Sequence, residues 1–151
     1  MSWAATVPTV VTKLTTLLTA ALAPTRVLVW SHVDAGGQLE AVTIAFQTAD
    51  EPVVGEGSFA AEGFAASPDR ETYVIRCMAA VRDGSNDLNA AALRAFALVA
   101  LVGGALAGDH TLTGTVLRAG LGSWALSATQ DSQGALAELA FEITVDAFTA
   151  T

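Results

Sequence analysis

At 151 residues the chain has the size of one domain, long enough to fold without disulfides or a structural metal. Its 7 basic against 15 acidic residues, a formal charge of −8, argue against a nucleic-acid-binding module and against docking on anionic lipid, both of which need a basic patch. Charged residues are only 15% of the chain and 31 residues are alanine, so part of the surface is expected to be weakly charged and suited to burial against other copies.

The single Cys77 cannot form an intramolecular disulfide. Met1-Ser2-Trp3 opens without a basic cluster and does not read as a secretory signal. The longest uncharged apolar run, Ala95 to Gly108, is 14 residues, short of the ~20 that a membrane span requires. The expectation is one domain over 1–151 with no membrane segment.

The first predicted element is a helix over 8–23. Val10, Leu14, Leu17, Leu18 and Ala21 recur on one face, Pro8 suits the first turn, and Pro24 ends the pattern. Strands are predicted at 26–33 and 41–46, with Asp34-Ala35-Gly36-Gly37 as a turn that could make them a hairpin. Residues 48–71 are acidic and aperiodic, and read as a long loop. A strand follows over 72–82, with Tyr73, Ile75, Cys77, Ala79 and Val81 on one face and Arg76 and Arg82 on the other.

Asp83-Gly84-Ser85-Asn86 reads as a turn and helix cap. The helix predicted over 87–107 is apolar nearly all round, which implies burial on more than one side. Residues 115–128 read as a strand bent at Gly120 and Gly122. After the turn Asp131-Ser132-Gln133-Gly134, a last strand runs from Ala135 to Phe148. Its apolar face is Ala135, Ala137, Leu139, Phe141, Ile143, Val145 and Ala147; Glu138, Glu142, Thr144 and Asp146 lie opposite. The order α-β-β-β-α-β-β predicts an α+β fold, a mainly antiparallel sheet with both helices on one face.

Catalytic and ligand-binding patterns are scarce. There is no P-loop, no dinucleotide fingerprint and no C-x-x-C. Gly122-Ser123-Trp124 lacks the trailing Gly of a nucleophile elbow. His32-Val33-Asp34 could offer two metal ligands, against the four of a structural site. Cys77 falls on an apolar strand face and reads as a core thiol. Glu138 and Glu142 share a face but sit roughly 13 Å apart along the strand, too far for a glycosidase pair. Trp3, Trp30 and Trp124 read as core or interface residues. The residues thus point to no enzyme, no metal and no cofactor.

Between Gly63 and Val116 a series of short motifs stands out: Arg70-Glu71-Thr72-Tyr73-Val74-Ile75-Arg76-Cys77, then Arg82-Asp83-Gly84-Ser85-Asn86-Asp87, a long Ala-rich helix, Asp109-His110-Thr111-Leu112, and Gly114-Thr115-Val116. Together with the final Phe148-Thr149, this series resembles the tail terminator proteins of long-tailed, non-contractile actinobacterial phages. The resemblance covers about residues 8 to 149, and departs from the family pattern at the bland segment 60–66. It implies a virion protein that forms a hexameric ring at the head-proximal end of the tail tube, after assembly in the host cytoplasm. That ring would stop tube growth and join the tail to the head's stopper protein, with DNA passing through without specific binding. Candidate subunit or partner contacts are then Arg70, Glu71, Arg82, Asp83 and Asp87, and Glu138 and Glu142 are a candidate acidic lumen face. Another neck or tail part (adaptor, stopper or tube subunit) is the alternative; a small hydrolase using Asp109 and His110, or a binding module, stands further off.

Overall fold

The computed structural model describes residues 5–30, 40–60 and 70–149. Its elements run α1 (Val7–Leu22), β1 (Arg26–Val29), β2 (Glu40–Ile44), β3 (Gly55–Ala60), β4 (Arg70–Asp83), α2 (Leu88–Gly108), β5 (Arg118–Asp131) and β6 (Gly134–Phe148). The fold is α+β: a six-stranded, mostly antiparallel sheet in the order β1-β2-β4-β6-β5, with β3 on the same side of β4 as β2. Both helices pack on one sheet face around a single core.

The long strands follow the predicted alternation. Tyr73, Ile75, Cys77, Ala79 and Val81 of β4 stand opposite Val145, Ile143, Phe141, Leu139 and Ala137 of β6, and all ten are buried. On α1, Val10, Leu14, Leu18 and Leu22 supply the buried stripe. The Asp87 carboxylate caps α2 by accepting from the Ala90 N–H. The predicted bend in β5 is a bulge between Leu121 and Trp124.

Three expectations are corrected. First, β1 and β2 pair in parallel and are not a hairpin. Ten residues separate them, and a parallel neighbour needs such a returning connection where a hairpin needs a tight turn. The predicted turn at Asp34–Gly37 and the histidine His32 lie outside the described residues.

Second, the expected loop over 48–71 contains a strand, β3, and its end already belongs to β4. The strand shows no apolar period because two of its three helix-side positions are glycine. A Cβ at Gly57 would lie 2.4 Å from the Tyr73 Cβ, so only a bare backbone fits there. Residues 61–69 lie outside the described residues.

Third, β5 starts later than expected because 111–116 form a compact turn with positive φ at Leu112, Thr113 and Gly114. Asp109 Oδ1 accepts from the Thr113 N–H, Thr111 Oγ1 accepts from the Gly114 N–H, and Leu112 is buried beneath.

Candidate interaction surface

The candidate contact residues divide between structural and surface roles. Arg70 forms a two-pronged ion pair with Asp146 across the β4–β6 ladder and lies 5.7 Å from the Phe148 ring centroid. The guanidinium beside it holds the Asp146 carboxyl below its usual range. Arg82 pairs with Asp131 at 2.9 Å. Asp83 accepts from the Ser85 N–H and hydroxyl, and Asp87 caps α2; both shape the β4–α2 connection.

Glu71 is the exception and a correction. It is only 2% exposed, so it cannot serve as a surface contact. Its Oε1 accepts from the Thr6 N–H at 2.9 Å and the Thr6 hydroxyl at 2.6 Å, and that hydroxyl lies 3.0 Å from the Tyr73 hydroxyl. The three groups tie the start of α1 to β4. Burial raises the Tyr73 phenol well above its usual pKa. Burial also pushes the Cys77 thiol up to about 12, which leaves it without thiolate at neutral pH.

Glu138 and Glu142 lie on the sheet face turned away from the helices, both half-buried. Glu142 accepts from the Ser123 hydroxyl at 3.0 Å. Arg70, Arg76 and Arg82 share that face, paired with Asp146, Glu51 and Asp131. The face is therefore of mixed charge, with Arg76 directly across the ladder from Glu142 and Ala80 across from Glu138.

The most distinctive surface is apolar. Opposite its buried stripe, α2 presents Leu93, Ala97, Ala100 and Leu101, and Leu93 is 63% exposed. Beside it on the edge strand β5, Leu121, Trp124 and Leu126 are exposed, and the Trp124 ring meets Phe96 edge-on at 5.1 Å. Between Arg118 and Asp131, β5 carries no charged residue. Contiguous exposed apolar surface of this kind marks an interaction site. Trp124 on this surface is 60% exposed, and Trp30, after β1 at the other end of the sheet, is 50% exposed, so neither is a core residue.

At 21 residues, α2 extends beyond the 14-residue run seen in sequence. By length and composition it is apolar enough to cross a membrane. Here it packs Ala91, Ala95, Leu98, Val102 and Leu106 into the core, and its Arg94 forms a two-pronged ion pair with Glu40.

Among the described residues no cluster of three His, Cys, Asp or Glu side chains could hold a metal ion. No protein-family model matches the chain, and no curated protein is similar to it in sequence.

Proposed function

We propose that the protein is a structural ring component of a phage tail, the terminator that closes the tube at its head-proximal end. The observation that carries this reading is the exposed apolar surface of α2 and β5 on a chain of net charge −8. Copies that repel one another over most of their surface attract where charge is absent, and such a patch drives self-association. The motif resemblance names the assembly. Its Arg70-Glu71-Thr72 strand, Arg82-Asp83-Gly84 turn and Leu112-Thr113-Gly114-Thr115-Val116 element supply a salt-bridged strand, a helix-capping turn and a core-anchored turn. On a mixed-charge wall with paired arginines, DNA would find few free cations to grip, which suits passage without binding.

Deletion of the gene from its phage tests this. The expected lysate holds filled heads and separate tails of irregular or excessive length. Normal-length tails already joined to heads would overturn the terminator reading; headless tails of normal length would favour an adaptor or stopper.

A further inference from the structure

Between α1 and β3 lies a cavity of about 220 Å³, walled by Val7, Val11, Trp30, Val54, Tyr73 and Ile75. It opens because Gly55 and Gly57 put no side chains on the helix side of β3. Glu71 lines it as well, a carboxylate in a largely apolar wall.

Charges buried in proteins are normally paired. Glu71 is 2% exposed, and both of its hydrogen bonds, from the Thr6 N–H and the Thr6 hydroxyl, go to Oε1. Its Oε2 has no hydrogen-bond partner among the described residues. No lysine, arginine or histidine among the described residues lines the cavity. Arg70, the preceding residue, projects from the opposite face of β4 and pairs with Asp146 there. The start of α1 brings the positive end of a helix dipole, worth about half a unit charge, which favours an ionised carboxylate and leaves the rest uncompensated.

We infer that the α1–β3 cavity binds an organic ammonium ion, whose N–H groups meet Glu71 Oε2 while its apolar stem lies between α1 and β3. This site is independent of the ring reading. Charge, wall chemistry and size each select that ligand class.

An ammonium supplies both the missing positive charge and a charge-assisted hydrogen bond, roughly twice as strong as a neutral one. An alcohol could donate to Oε2 but would leave the charge unpaired, and an anion would be repelled. The polar groups gather at one end, where the Thr6 hydroxyl lies 3.0 Å from the Tyr73 hydroxyl beside Glu71, and the aliphatic residues form the remaining wall. That division matches a ligand with one charged end and an apolar body. The aromatic rings of Trp30 and Tyr73 favour a cation further, since the faces of such rings carry partial negative charge. A cavity of about 150 Å³ is enough for benzene. This one therefore takes a ring of that size with a short aminoalkyl arm, or the side chain of a lysine. The same chemistry is offered by a free amine and by a lysine of a protein partner.

The experiment is a titration of the full-length protein at neutral pH with phenethylamine, its neutral isostere phenethyl alcohol, and the anion hydrocinnamate. It is read by calorimetry and by methyl resonances, with circular dichroism to confirm folding. The amine should bind at least about tenfold more tightly than the alcohol, and the anion should not bind. The methyl groups of Val7, Val11 and Ile75 should shift. Glu71→Gln should weaken the amine at least about tenfold and leave the alcohol unchanged, whereas Trp30→Ala should weaken both. Amine and alcohol bound equally by the unaltered protein would overturn the proposal, as would amine binding that survives Glu71→Gln or shifts confined to the surface around Trp124. Should Glu71→Gln fail to fold, the three-ligand comparison on the unaltered protein decides alone. Blocked lysine, N-acetyl-lysine methylamide, separates the two sources: tighter binding than phenethylamine marks a lysine of a partner protein, and weaker binding marks a free amine.

Discussion

Phe141→Ala is expected to destabilise the protein by about 3–5 kcal/mol in a denaturant series, a large share of the roughly 5–15 kcal/mol typical of a domain. The side chain lies at the centre of β6, 3% exposed, with Cys77 opposite on β4 and Trp124 opposite on β5. Truncation removes an aromatic ring from a close-packed layer between sheet and helices, and the flanking strands are too constrained to collapse onto the space. Its neighbour Glu142 faces the other way, so Glu142→Ala should cost under about 0.5 kcal/mol. Equal losses would mean that the two faces of β6 are equally buried, which the structure contradicts.

Glu71→Ala should be the most damaging loss of a polar group, at about 2–3 kcal/mol. The Thr6 N–H has the Glu71 carboxylate as its acceptor, and Thr6 is itself buried. Alanine leaves that donor unpaired away from water and frees the start of α1 from β4. Glu71→Gln keeps an acceptor oxygen in place and should cost about 1 kcal/mol. Thermal melts of the two variants check this. A Gln variant as damaged as the Ala variant would show that the charge matters more than the hydrogen bonds.

These two residues also show how far the sequence can be read. Phe141 lies in a strand of strict alternation, and one buried face over fifteen residues leaves no other register open. The same logic makes β4, α1 and α2 legible. Glu71 was legible only as a member of a strand with charged neighbours. Burial of a carboxylate depends on a partner 65 residues away, which no local pattern reveals. β3 is not legible because its helix-side glycines erase the period that identifies a strand, and the parallel pairing of β1 with β2 depends on a connection, not on residue type. The candidate site was half legible. The all-round apolar character of α2 implies burial on more than one side, yet one of its faces, with Leu93 and Leu101, is exposed in the single chain, and the exposure of Trp124 follows from β5 being an edge strand, a property of the whole sheet.

The account stands on self-assembly into a closed ring, and electron microscopy of the purified protein in negative stain tests it most directly. Single rings of uniform diameter with a central opening, and no stacked tubes, are the expected image. Long tubes of stacked rings would mark a tube subunit, and a field of monomers at concentrations well above those of assembly would contradict the account.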